Sequence, residues 1–369
     1  MAENGKRKKK IVYVVEDFTV CGGVERIVSQ KASILHSRYG HRVDIVTVYR
    51  DHRPQGYPLA QGINLVRLDV PFARKSRFAP LAAIYRLETI TVAAARLDKA
   101  LRRLNPDLVF FTTTLGALLL PLCRCKAKKV FESHLARMFT PFSRFLWLTE
   151  RRADLVVCIT KGDAELFRKA KKTCVIPNFI SATGQHVLDY GVRRAVAVGR
   201  LEVQKGFDIL LRCWGEASKR QPGWHLDIYG EGSQRGALQR QIEALGLEGS
   251  VELKGRCADM LPRYSRYSFM AVASRYEGFS MTLIEGQASS LAAVATDYQF
   301  GASEILSDGI NGLVVPQGDE KAFAAALERM MASEPLRRRL GTKGREMATR
   351  FDEKPIMEQW EKLVEDICK

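Results

Sequence analysis

Short runs of β-branched and aromatic residues alternate with longer stretches of helical period along the whole chain. In the first half, I-V-Y-V-V (11–15), V-D-I-V-T-V (43–48), I-N-L-V-R-L (63–68), L-V-F-F-T (108–112), K-V-F-E (129–132) and L-V-V-C-I (154–158) read as strands. Helical patterns cover about 23–36 and 80–104. Polar, turn-forming residues interrupt the pattern at 177–186. It restarts with A-V-A-V-G (195–199), H-L-D-I-Y-G (225–230), V-E-L-K-G (251–255), F-M-A-V-A (269–273), A-A-V-A-T-D (292–297) and G-L-V-V-P (312–316). Strands alternating with helices predict parallel sheets covered on both faces. The expected fold is therefore α/β, with two Rossmann-like doubly wound domains, 1–180 and 181–354, facing across a cleft, and a final helix within 355–369.

A length of 369 residues suits two such cores. No apolar run approaches the roughly 20 residues of a spanning helix, and the N-terminal basic run precedes only a strand-length apolar segment. Neither an anchor nor a signal peptide is expected. The eight cysteines are scattered and lack zinc-ligand spacing, which predicts a reducing, cytoplasmic setting. Charge changes the picture more. The net value is +17, yet residues 1–180 hold 33 Lys and Arg against 15 Asp and Glu, while the remainder holds 25 against 26. The first domain alone calls for a polyanionic partner: nucleic acid, anionic lipid or a phosphorylated substrate.

The basic residues concentrate in K-R-K-K-K (6–10), F-A-R-K-S-R-F (72–78), R-L-D-K-A-L-R-R (96–103) and C-R-C-K-A-K-K (123–129), with Phe72, Phe78, Leu81 and Tyr85 interleaved. Basic and aromatic residues together predict peripheral docking on an anionic membrane surface, at the inner face of the cytoplasmic membrane. No helix-turn-helix, RNP or zinc signature supports specific nucleic-acid binding.

The stretch S-R-Y-E-G-F-S-M-T-L-I-E-G (274–286) holds the densest candidate chemistry. It follows a predicted strand, so Glu277, Gly278, Phe279, Ser280 and Met281 form a turn into a helix whose N–H groups suit phosphate oxygens. Glu285, about one turn inside, can accept bonds from vicinal ribose hydroxyls, and Glu277 from the hydroxyls of a second ring. By spacing alone the two acids read more readily as a solvated turn residue and a helix-face charge.

Other segments decide between these readings. G-G-V-E-R (22–26), I-P-N (176–178), V-G-R-L-E-V-Q-K-G (198–206), D-I-Y-G-E-G (227–232) and L-K-G-R (253–256) occur in order before or with that stretch. With these motifs the sequence resembles the retaining GT-B glycosyltransferases of family 4, which move sugars from nucleotide-sugar donors. The resemblance implies that Arg200 and Lys205 serve the donor diphosphate, and that Gly22 and Gly23 lie beside the donor phosphates and acceptor. It places Gly230 at the nucleotide, the backbone near Arg256 at its base, and His134 of F-E-S-H-L near the sugar's 6-hydroxyl.

It further implies a last helix that crosses back to the first domain, a likeness to enzymes reacting on one face of the sugar, and no covalent carboxylate nucleophile. No metal and no bound cofactor are expected, since D-x-D is absent at a strand end and the donor, a UDP-sugar by this resemblance, is a substrate. The acceptor expected is a glycan or lipid-linked molecule of bacterial surface polysaccharide, lipopolysaccharide or capsule. S-L-A-A-V-A-T-D (290–297) and Y-Q-F-G-A-S-E-I (298–305, with Glu304) depart from the family pattern, which leaves the sugar open. Two alternatives stand: a nucleotide-sugar 2-epimerase of the same fold, and a non-enzymatic basic nucleic-acid-binding protein. A nicotinamide or flavin enzyme is disfavoured because Gly22 and Gly23 do not form G-x-G-x-x-G.

Overall fold

The computed structural model describes residues 7–20, 22–50, 53–73, 79–135, 137–140, 143–180, 188–299 and 301–369. The chain forms two compact units, Met1–Asn178 with Lys354–Lys369, and Phe179–Glu353.

The first unit runs β1 (Lys10–Val15), α1 (Gly23–Ser37), β2 (Arg42–Tyr49), β3 (Asn64–Val70), α2 (Ala79–Leu104), β4 (Leu108–Thr112) and α3 (Thr113–Leu119). It continues with β5 (Lys128–Ser133), α4 (Leu146–Arg152), β6 (Leu155–Cys158), α5 (Lys161–Ala164) and β7 (Thr173–Val175). The second unit runs β8 (Arg194–Val198), α6 (Phe207–Arg220), β9 (His225–Tyr229), α7 (Arg235–Ala244), β10 (Val251–Gly255) and β11 (Phe269–Val272). Then follow α8 (Met281–Ala288), β12 (Ala292–Asp297), α9 (Ala302–Ile305), β13 (Leu313–Pro316), α10 (Glu320–Ala332) and α11 (Glu334–Ala348), and the chain ends in α12 (Glu353–Ile367).

The strand orders are β3-β2-β1-β4-β5-β6-β7 and β10-β9-β8-β11-β12-β13. Pairing is parallel throughout both named sheets. Each unit is thus a Rossmann-like doubly wound α/β layer. The strand order reverses between β1 and β4 in one sheet and between β8 and β11 in the other. Ligands of such sheets bind beyond the carboxyl ends of the strands at the reversal, so the loops after β1, β8 and β11 are the places to look.

Covering helices explain the near-continuous apolar strands. Ile11–Val15 of β1 are all buried because both faces of the sheet are packed. On one face Val12, Val14, Phe111 and Phe131 meet Ala93, Leu97 and Leu101 of α2. In the second unit Ala195, Ala197, Leu226 and Ile228 pack with Leu210, Leu211 and Trp214 of α6 and Phe323 and Leu327 of α10.

The basic run near the start is partly built into the fold. Lys8 Nζ donates to the Tyr39 carbonyl at 2.8 Å, Lys9 Nζ to the Cys368 carbonyl at 3.3 Å, and the Lys10 amide to Asp107 at 2.8 Å. Residues 74–78, which carry most of F-A-R-K-S-R-F, lie outside the described residues, as do 181–187 of the interdomain stretch. α12 packs on the first sheet: Trp360 meets Phe110 edge-on at 5.8 Å, and His41 Nε2 lies 2.8 Å from Glu361. Among the described residues no helix is long and apolar enough to cross a membrane.

Candidate active site

The loop after β8 and the loop after β11 are joined side by side at the reversal point of the second sheet. Lys205 Nζ lies 2.5 Å from Glu277 Oε1, and the Ser274 hydroxyl donates to that same oxygen at 2.7 Å. Glu277 is buried, with its side chain 7% exposed against 14% for Lys205. Spacing alone allowed a solvated turn residue here, and the structure removes that reading. Gln204 ties the loops further: its amide donates to the Tyr276 carbonyl at 3.0 Å, and its oxygen accepts from Arg200 at 2.9 Å. The Arg275 guanidinium grips Asp208 at the start of α6 with two bonds of 2.7 Å, and hydrogen bonding to that guanidinium holds the carboxyl below its ordinary range.

Glycines let these loops come so close. Gly206 has φ +64°, and a Cβ there would lie 2.0 Å from the Ala273 carbonyl oxygen. Gly230 has φ +149°, and a Cβ there would lie 1.8 Å from the Gly199 carbonyl oxygen. Packing thus accounts for Gly230 directly, next to the bond from the Gly199 amide to the Tyr229 carbonyl at 2.9 Å.

α8 begins immediately after this pair, with Ser280 at its N-cap position and no side-chain cap bond there. Its leading N–H groups are of the kind that receive an anion. Met281, expected in the turn, is the helix's first residue. Gly278, Phe279 and Ser280 are buried before it, and Phe279 is anchored by an edge contact with Phe351 at 5.6 Å. Glu285 is 8% exposed within α8. The helix sits hard on β11: a Cβ at Gly286 would lie 2.2 Å from Met270 Sδ.

Arg256 is placed differently. The Gly230 amide donates to the Gly255 carbonyl at 2.9 Å, so the chain at 255–256 lies beside the end of β9. The Arg256 side chain, however, lines a cavity of about 410 Å³ with Tyr229, Lys254, Arg263, Arg266 and Tyr267, and none of Arg200, Lys205, Glu277 and Glu285 borders it.

In the first unit, Gly22 is the N-cap of α1, and a Cβ at Gly23 would meet nothing within 4 Å. Packing does not demand glycine at 23. Glu25, three residues after Gly22, is buried, and burial together with Glu16 and Asp17 pushes its carboxyl above the ordinary range. His134 follows the carboxyl end of β5, with its side chain 6% exposed and Nε2 3.1 Å from Glu132 Oε2. Gln204, Ser274, Asp208 and Arg275 were not assigned roles from the sequence, because polar residues in loops and at a helix start give no signal of their partners. Glu304 lies in α9, where its carbonyl accepts from Arg350 at 2.7 Å.

The whole architecture matches a sucrose-phosphate synthase from Thermosynechococcus elongatus with a TM-score of 0.83 at 19% identity, over 98% of this chain and 99% of that one. An Anabaena protein, HepE, solved in complex with UDP-glucose, matches with a TM-score of 0.74 at 18% identity over 97% and 100%. Residues 21–183 match the model of Glycosyltransferase Family 4, and residues 183–347 that of Glycosyl transferases group 1. The chain is a family 4-like GT-B glycosyltransferase.

Gly22, Gly23 and His134 of this glycosyltransferase fall in the first matched region, and Arg200, Lys205, Glu277 and Glu285 in the second. Among curated relatives, an amylovoran biosynthesis glycosyltransferase of Erwinia amylovora is 27% identical over 96% of the chain and 99% of its own length. An exopolysaccharide phosphotransferase of Streptomyces coelicolor is 30% identical over 73% of this chain, which spans 30% of that protein.

Proposed function

We propose that the protein is a retaining, metal-independent glycosyltransferase that moves a sugar from a UDP-sugar to a glycan or lipid-linked acceptor of a bacterial surface polysaccharide. The observation that carries this reading is the Lys205–Glu277 pair, held with Arg200 where the second sheet reverses and where α8 begins. Cleavage of the bond between C1 and the diphosphate oxygen builds negative charge on that oxygen. In this reading Lys205, Arg200 and the N–H groups of α8 receive it, and preorganised donors of this kind contribute most where water is excluded. Glu285 binds the ribose hydroxyls and Glu277 the sugar, while the leaving phosphate oxygen takes the acceptor's proton as the acceptor oxygen bonds C1 on the same face. The HepE complex with UDP-glucose and the amylovoran relative support this choice of donor class and pathway type.

A donor panel tests it by thermal shift in excess EDTA. A true donor at about a hundred times its Kd stabilises by about 2.7 kcal/mol, enough to raise Tm by about 5 °C. A shift that appears only when manganese is restored would remove the metal-independent part of the proposal.

The first unit is the acceptor side in this reading, docked on the cytoplasmic face of an anionic membrane. Phe72, Ile84 and Leu87 are 58%, 59% and 65% exposed, and Leu81, Ile84 and Leu87 recur three residues apart on the opening turns of α2 beside Arg86. A helix with that face exposed within a chain half carrying 33 basic residues suits an anionic bilayer surface. Flotation with anionic liposomes at low salt should carry the protein upward, and the fraction should fall as salt screens the contact. Failure to float under those conditions would leave a soluble polyanionic acceptor as the account of the charge.

A further inference from the structure

The strand that precedes His134 also carries one member of a buried charge pair that the transfer chemistry above does not use. Lys31 of α1 is fully buried, with its Nζ 2.5 Å from Glu132 Oε2 on β5. The ammonium lies 3.6 Å from the centroid of the Trp360 ring on α12, and 5.2 and 5.7 Å from those of Tyr13 and Phe110. It is a cation enclosed by three aromatic rings and one carboxylate. The same Glu132 oxygen also meets His134 Nε2 at 3.1 Å, while Glu132 Oε1 and the Tyr13 hydroxyl are buried without a hydrogen-bond partner.

Burial alone would push the Glu132 carboxyl up. The Lys31 ammonium and the His134 ring outweigh that and hold it below its ordinary range. Burial draws Lys31 down, and Glu132 opposes the change. The pair is held ionised, because the aromatic faces add a second stabilisation of the cation that a carboxylate alone lacks. An isolated buried pair adds little net stability, since desolvation offsets the attraction. What this one supplies is orientation.

An ionised carboxylate only accepts hydrogen bonds, so the nitrogen facing it must carry the proton. In the neutral ring that fixes His134 as the Nε2–H form and leaves Nδ1 as an acceptor. Among the described residues no hydrogen bond reaches Nδ1. We propose that Lys31 and Glu132 are positioning residues that lock His134 in the Nε2–H tautomer, with Nδ1 presented as a hydrogen-bond acceptor to a hydroxyl of the bound sugar. This rests on the reading of His134 as a sugar-binding group at the carboxyl end of β5. Trp360 closes the box from the last helix, so α12 contributes to the site through Lys31 without touching substrate.

The test uses the full chain labelled with 15N-histidine, with His134 assigned from the spectrum of His134→Gln. Long-range proton–nitrogen correlation should show the Nε2–H tautomer in the wild type. In the Lys31→Met/Glu132→Gln double variant, which removes both charges at similar volume, the Gln amide can donate to Nε2 and the ring should turn to Nδ1–H. Release of UDP from UDP-glucose, or from whichever panel sugar is turned over, should then fall at least tenfold in kcat with the KM for donor little changed. An Nδ1–H ring in the wild type, or no tautomer change in the folded double variant, overturns the proposal. Wild-type turnover by His134→Gln would instead overturn the underlying role of His134, and the spectra separate the two failures.

Discussion

Lys205→Ala will lower kcat by about a hundredfold to a thousandfold, or roughly 3 to 4 kcal/mol of lost transition-state stabilisation. The ammonium sits 2.5 Å from a buried carboxylate beside the first turn of α8, so its position is fixed before substrate arrives. Such a charge acts on the diphosphate as it departs more than on the diphosphate as it binds, so KM should move less than kcat. Arg200 is exposed and bonds to Gln204 rather than to a buried carboxylate, so Arg200→Ala should cost about tenfold, with the same split. A structural role for Lys205 would show differently. Removing it leaves Glu277 buried without its cation, so a variant that merely melts earlier while each folded molecule turns over normally would take Lys205 out of the chemistry. Steady-state kinetics paired with a melting curve decide this.

Gly230→Ala will destabilise the second unit by about 4 kcal/mol or more, among the larger effects a single substitution produces. Two costs add. An alanine at φ +149° is strained by about 1–3 kcal/mol, and its Cβ would lie 1.8 Å from the Gly199 carbonyl oxygen, which is backbone and cannot swing aside. Either β8 or β9 has to move, and β8 carries the loop that holds Arg200 and Lys205. Gly23→Ala supplies the contrast: its Cβ meets nothing within 4 Å and it stands in the first turn of α1, so stability should hold within about 0.5 kcal/mol. Urea unfolding of both variants checks the pair, and a Gly230→Ala midpoint near wild type would mean the two loops do not cross as described. Lost transfer by a stable Gly23→Ala would support ligand approach at that position.

The sequence and the structure agree best where one element speaks for itself. β4 and β12 fall on the residues their apolar pattern predicts, because a buried parallel strand declares itself by composition alone. β7 was invisible: three residues, T-C-V, at a sheet edge give too short a run for any periodicity. The Glu277 and Lys205 positions were legible because each sits in a motif that follows a strand, yet their direct contact was not, since 72 residues separate them. Lys31 and Glu132 were missed for the same reason in stronger form. A lysine on a helix reads as a solvent charge until the sheet beneath places a glutamate against it, 101 residues along the chain. The charge split of the first half was plain in composition, but composition did not show that Lys8, Lys9 and Lys10 are tied to the fold.

The most direct test of sugar transfer from a nucleotide-sugar is mass spectrometry of the full-length protein incubated in excess EDTA with a panel of nucleotide-sugars and a bacterial membrane-lipid extract. The account predicts that one UDP-sugar is consumed, that free UDP appears, and that a lipid-extract species gains the mass of one sugar residue, with Lys205→Ala forming it far more slowly. No release of UDP from any donor, or conversion of a nucleotide-sugar into an isomer of equal mass without a glycosylated acceptor, would contradict it.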